Sequence, residues 1–88
     1  MARVIIYTTN YCRYCVGAKA FLRSKAIEFE EVDVTDDPAR RAEMERLSGR
    51  RTVPQIFIDG QSFGGYDDIL RLDATGELDD VLGYRELR

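Results

Sequence analysis

Eighty-eight residues and 10.1 kDa make room for one small domain, residues 1–88, and exclude a second. With 44 % hydrophobic and 33 % charged residues the chain is globular in composition; no apolar run approaches the ~18 residues of a membrane span, and the run at Val4-Ile5-Ile6-Tyr7 is too short for a signal peptide. The net charge of −3 divides into ten Lys/Arg against eight Asp/Glu in residues 1–51 and three against eight in residues 52–88, which leaves no basic stripe for nucleic acid, and the absence of histidine removes the usual general base and metal ligand.

Val4-Ile5-Ile6-Tyr7 is a β-branched and aromatic run without polar alternation, the pattern of a strand covered on both faces. From Cys12 to Lys25 the period changes: Cys15, Ala18, Leu22 and Ala26 recur at helical spacing, with Phe21 beside them and Arg13, Lys19 and Arg23 elsewhere on the wheel. An amphipathic helix therefore begins at the cysteines. Residues 29–34 predict a second strand, whose Glu28, Glu30, Glu31 and Asp33 suit a sheet edge. Asp37-Pro38 reads as an N-cap followed by proline at the first helical position, with Ala39, Ala42, Met44 and Leu47 as a narrow apolar stripe and Gly49 as the stop. Residues 55–58 predict a strand, Asp59-Gly60 a tight hairpin, and residues 61–63 its antiparallel return. A turn at Gly64-Gly65, a short helix over residues 67–72, a turn at Thr75-Gly76 and a last helix carrying Leu78, Val81 and Leu82 complete the chain. A right-handed crossover makes the first two strands parallel. The expected architecture is α/β, a four-stranded mixed sheet with helices on both faces, as in a minimal thioredoxin-like fold.

The only two cysteines, Cys12 and Cys15, stand three apart at the predicted strand-to-helix turn. A structural zinc site would need four ligands, and a disulfide-stapled secreted domain more cysteines, so the pair reads as a redox motif in a reducing, cytoplasmic compartment. A free cysteine, with a pKa near 8.5, is only about 3 % thiolate at neutral pH. Unpaired backbone N–H groups and the positive dipole end at the helix start, with Arg13 adjacent, favour the thiolate of Cys12. The principal benefit is in its departure from a mixed disulfide, because intrinsic nucleophilicity falls as a thiolate is stabilised. Cys15, on the apolar stripe, is expected to stay protonated until needed, as the resolving thiol. Thr52-Val53-Pro54 precedes the third strand; its three residues do not by themselves specify a cis bond. In this fold the Val53 backbone lies beside the cysteines, where it can pair with an extended peptide-like ligand. Asp67 and Asp68 at a helix start read first as caps, and beside a thiol site as a place for a ligand's charged end. Arg40, Arg41, Arg50 and Arg51 read mainly as solvated charges, one or two of them available to a ligand carboxylate.

Val4-Ile5-Ile6-Tyr7-Thr8, Cys12-Arg13-Tyr14-Cys15, Ser48-Gly49-Arg50, Thr52-Val53-Pro54-Gln55-Ile56-Phe57-Ile58-Asp59, Gly64-Gly65 with Asp67-Asp68, and Leu72-Asp73 together resemble a glutaredoxin of the small bacterial dithiol class, over nearly the whole chain. The resemblance implies a cis Pro54 and a glutathione groove that also takes in Gly65. Cys12 is then the nucleophile and Cys15 the resolving thiol, and Tyr14 packs along glutathione. Val53 pairs with its cysteinyl backbone, assisted by Thr52; Asp68 and the backbone around Asp67 hold the γ-glutamyl end, and Arg41 approaches the glycyl carboxylate. The implied reaction is reduction of protein disulfides and protein-glutathione mixed disulfides by a monomer, with glutathione as co-substrate and glutathione reductase and NADPH upstream. Three positions depart from the common pattern: Arg13 stands for a proline, Thr9 for a lysine, and Tyr66 for a frequent third cysteine. Loss of the active-site proline opens a second reading, a dimer bridged by a glutathione-ligated [2Fe-2S] cluster. A third is a hydrogen donor to ribonucleotide reductase driven by thioredoxin reductase, against which the Gly-Gly-x-Asp-Asp run argues. The least specific reading is an interaction module with no redox chemistry.

Overall fold

The computed structural model describes residues 2–83. Eight elements follow one another: β1 Val4–Thr8, α1 Arg13–Ser24, β2 Glu30–Asp33, α2 Pro38–Ser48, β3 Gln55–Ile58, β4 Gln61–Gly64, α3 Tyr66–Thr75 and α4 Glu77–Leu82. The sheet order is β2-β1-β3-β4, with β1 parallel to β2 and antiparallel to β3, and β3 antiparallel to β4. The mixed sheet and the thioredoxin-like α/β architecture expected from the sequence are therefore present.

Alternation along β1 divides the core into two layers. Val4 and Ile6 face α1, α3 and α4 and pack with Ala18, Leu22, Ile56, Ile58, Ile69, Leu78 and Leu82. Tyr7 faces the other way, with Phe57, Val34 and Met44 of α2; the Tyr7 and Phe57 rings meet edge to face at 5.4 Å. Both faces of β1 are thus apolar, as its unalternating run predicts. The hairpin between β3 and β4 turns through Asp59 and Gly60, both at positive φ (51° and 83°), as a type I′ turn requires. Asp59 is held there by Arg3, whose N–H donates to Asp59 Oδ1 at 2.9 Å.

Four details differ from expectation. Ala26 is not on the α1 stripe: the helix ends at Ser24 with Lys25 as C-cap, and Ala26 is exposed at φ 58°. The α2 stripe reduces to Met44, while Ala39, Ala42 and Leu47 are exposed, Leu47 by 52 %. Met44 alone reaches the second core cluster, against Tyr7 of β1, Phe57 of β3 and Val34, and the charged positions Arg40, Arg41, Glu43 and Glu45 occupy much of the rest of the wheel. The second strand is Glu30–Asp33, shorter than residues 29–34, with Phe29 and Val34 packing from outside it. The third helix starts at Tyr66 and continues through Thr75, so the turn into α4 is made at Gly76 alone, at φ 83°.

Candidate active site

Four segments distant in sequence meet at the C-terminal end of β1. The β1–α1 turn places Cys12 as the N-cap of α1, where its Sγ accepts a hydrogen bond from the Cys15 N–H at 3.1 Å, in the way a serine or aspartate oxygen does at an ordinary cap. A thiolate there meets the unpaired donors and positive end of the helix. The Cys12 thiol in turn donates to the Val53 carbonyl at the sulfur-length distance of 3.6 Å. Both cysteines are free thiols; Cys12 is half-buried and Cys15 only 1 % exposed. Burial, with a hydrogen bond to Cys12 next, pushes the Cys15 thiol up to about 12, against opposing pulls from the Thr9 backbone and Lys19. The expected inequality of the two thiols is what the packing produces.

The Val53–Pro54 peptide is cis. Val53 N–H makes no backbone hydrogen bond among the described residues, so beside the thiol stands a loop backbone with an unengaged donor. Pro54 is buried and its carbonyl abuts Gly65, where a Cβ would come within 3.2 Å of the oxygen. Gly65 therefore stays without a side chain to seat the start of α3 against the Val53–Pro54 loop. Gly64, at φ 86°, leaves no room for a Cβ beside the Asp68 carboxylate.

Asp68 closes the far side. Its Oδ2 accepts from the Gly65 N–H at 2.9 Å and from Arg50 Nη1 at 2.8 Å, while Arg71 approaches Oδ1 at 3.5 Å. The Gly65 N–H first, then the Arg50 guanidinium, hold its carboxyl below the usual range. An open groove of about 580 Å³ runs from here along β4 and α3, sharing Arg50, Gly64 and Asp68 with the site but not reaching the thiols.

Cys12, Cys15, Val53, Pro54, Gly65 and Asp68 are thus brought together. Other expected site residues are less directly placed. The Arg41 Nη2 donates to the Arg51 carbonyl at 3.3 Å, bracing the loop before Thr52. The Thr52 hydroxyl and carbonyl accept from Gln55 Nε2 at 3.2 and 2.9 Å. Asp67 is exposed in the first turn of α3. Tyr14 is 64 % exposed, with its ring 6.4 Å from that of Tyr66. Sequence reasoning missed Arg50, read as mainly solvated, and Tyr66, noted for the cysteine it replaces. The Tyr66 ring lies over Gly17, where a Cβ would stand 3.1 Å from Cζ, so Tyr66 walls the site from α3; glycine in the middle of an amphipathic helix was the available signal. For a cluster held by this chain alone the residues do not fit: among those described, no three His, Cys, Asp or Glu gather in a metal-binding group. No described helix is long and apolar enough to cross a membrane.

A capped, half-buried thiol, a buried partner three residues on and a free backbone edge beside them, on this fold, define a thiol-disulfide oxidoreductase. The known proteins that the chain is similar to make the class particular. A glutaredoxin family profile matches residues 4–63. Glutaredoxin 3 of Escherichia coli (strain K12) is 54 % identical over 82 residues, 93 % of this chain and 99 % of that one, and the glutaredoxin of Pseudomonas aeruginosa is 44 % identical across 93 % and 98 %. Among solved structures, the solution structure of a Brucella melitensis glutaredoxin superposes with a TM-score of 0.82 at 50 % identity, covering 93 % of this chain and 89 % of that one. A buckwheat glutaredoxin-glutathione complex shares the fold with a TM-score of 0.85 at 24 % identity, covering 94 % and 78 %. The chain belongs to the glutaredoxin family.

Proposed function

We propose that the protein reduces protein-glutathione mixed disulfides and protein disulfides, with glutathione as the co-substrate. The observation that carries this reading is the position of Cys12 Sγ, capping α1 through the Cys15 N–H at 3.1 Å and facing the Val53 carbonyl at 3.6 Å. As a thiolate it attacks the glutathione sulfur of a mixed disulfide; the Cys12–glutathione bond forms, the old S–S bond breaks, and the electron pair leaves on the protein sulfur, which takes up a proton. A second glutathione then resolves the adduct and departs as oxidised glutathione. For a protein disulfide, Cys15 resolves the adduct instead, closing the Cys12–Cys15 disulfide.

Binding follows from the groups around the sulfur. Once Cys12 has lost its proton to ionisation or disulfide formation, it no longer donates to the Val53 carbonyl. That carbonyl and the free Val53 N–H are then both open to the cysteinyl backbone of glutathione, in the manner of a short added strand. Pro54, Gly65 and Thr52 shape the groove, and Tyr14 lies along the ligand. Asp68 receives the γ-glutamyl ammonium while the α3 N–H groups near Asp67 receive its carboxylate; Arg41, on α2 and hydrogen-bonded to the loop before Thr52, supplies the cation for the glycyl carboxylate. The compartment that suits such chemistry is the reducing cytoplasm.

The test is the steady-state removal of glutathione from a glutathionylated peptide, coupled to glutathione reductase and NADPH. Clear turnover is expected, abolished by Cys12→Ser and retained by Cys15→Ser, which in turn loses most activity on protein disulfides. No turnover, or equal loss from both substitutions on the glutathionylated peptide, would overturn the reading.

A further inference from the structure

We propose that Gln55 is a positioning residue for the ligand: its buried amide grips Thr52 and so holds the intervening Val53 backbone in place beside Cys12. The inference deepens the proposed function and rests on the pairing of glutathione with Val53 in that reading.

Gln55 opens β3 directly after the cis Val53–Pro54 peptide and has no exposed surface. A long polar side chain is rarely buried so completely, and this one turns back on the loop before it. Its Nε2 donates to the Thr52 carbonyl at 2.9 Å and to the Thr52 hydroxyl at 3.2 Å. The amide therefore ties together the two residues that flank the Val53–Pro54 dipeptide. Between them lies Val53, whose carbonyl accepts from Cys12 Sγ at 3.6 Å and whose N–H makes no backbone hydrogen bond among the described residues. Thr52 is exposed, so water could serve its carbonyl; tying that carbonyl inward fixes the loop rather than rescuing a stranded group. Because the Thr52 hydroxyl accepts from Gln55, its own proton remains available to a ligand. The other brace on this segment, from Arg41 Nη2 to the Arg51 carbonyl at 3.3 Å, reaches one residue earlier and from the surface.

The second half of the amide works against the fold. Gln55 Oε1 is buried without a hydrogen-bond partner among the described residues. Turning the amide over would set that oxygen against the Thr52 carbonyl, acceptor to acceptor. A buried acceptor left unpaired destabilises a protein, and an apolar side chain of similar shape avoids that loss. The rest of β3, Ile56, Phe57 and Ile58, is buried and apolar. Stability alone thus favours a hydrophobic residue at this position, and the grip on Thr52 is what accounts for a polar one.

The experiment uses Gln55→Met, which keeps the length of the side chain and removes both the donor and the unpaired oxygen. In removal of glutathione from a glutathionylated peptide, coupled to glutathione reductase and NADPH, KM for the peptide is expected to rise about tenfold with kcat within about twofold, the pattern of binding lost equally from ground and transition states. Alkylation of Cys12 by iodoacetamide, which has no need of the Val53 backbone, is expected to stay within about twofold. The NMR order parameter of the Val53 N–H is expected to fall from about 0.85 toward about 0.6, while the midpoint of unfolding in denaturant holds or rises. An unchanged KM or an unchanged Val53 order parameter overturns the role. A lowered midpoint, or alkylation slowed as much as turnover, makes Gln55 a structural residue and overturns it too. Absence of turnover in the unsubstituted protein overturns the glutathione reading instead, and a Val53 amide loosened by Met would still show the grip.

Discussion

At the scale of single residues, Asp68 ties the ligand end of the site to the fold. Its carboxylate fixes the start of α3 through the Gly65 N–H and draws Arg50 across from the end of α2. Arg50 holds this carboxylate in the free protein, and in the proposed binding mode the ligand's ammonium would take its place. The same pairings set an acid limit. Because they hold the folded-state carboxyl below the ordinary value of about 3.9, their contribution is complete above that value and is lost as the pH falls through the lower folded-state one. Asp68→Asn keeps a cap acceptor but loses the ion pair, and is expected to cost about 0.5–1 kcal/mol at neutral pH. In denaturant titrations at several pH values the gap between the two proteins should narrow as the pH falls below the ordinary carboxylate value; a gap independent of pH would contradict the assignment. Cys12 and Cys15 were legible as a pair because the strand-to-helix change of period falls on them. Arg50 was not legible, since an arginine after Ser48-Gly49 looks like any solvated charge until α3 is brought against it.

At the scale of elements, helix periodicity spoke clearly in α1, whose apolar stripe is continuous, and poorly in α2, whose wheel is mostly charged. In α1, Cys15, Ala18 and Leu22 are all buried, as their spacing predicts. In α2, the residues chosen for hydrophobicity are exposed and only Met44 reaches the core. The two helices make a paired test. Leu22→Ala should cost about 3 kcal/mol, since Leu22 is 1 % exposed in the larger core cluster. Leu47→Ala, at 52 % exposure, should stay within about 0.5 kcal/mol. Equilibrium unfolding in denaturant measures both, and comparable losses would mean that α2 packs along the stripe its sequence suggests. The boundaries that moved, at Ala26, Phe29 and Thr75, lie where capping and turn geometry outweigh hydrophobic pattern.

At the scale of the whole molecule, the topology brings the chemistry together. The crossover through α1 and the antiparallel return of β3 set the Cys12 turn and the Val53–Pro54 loop side by side at one end of the sheet, though they are 41 positions apart. The β3–β4 hairpin then delivers Gly65 against Pro54. The parallel first pair, the antiparallel hairpin and the place of the thiols were readable from period changes, the Asp59-Gly60 turn and crossover handedness, while the antiparallel pairing of β1 with β3 was not. The cis peptide and the groove were carried only by resemblance, because no local pattern encodes contacts between segments so far apart. In the proposed mechanism Cys12 alone takes the glutathione. Mass spectrometry of Cys15→Ser and Cys12→Ser after incubation with oxidised glutathione tests it directly. The prediction is a single glutathione on Cys12 in the first variant and none in the second, where Cys15 lies buried. An unmodified Cys15→Ser protein, or an adduct forming at a comparable rate on Cys15 in the other variant, would contradict it.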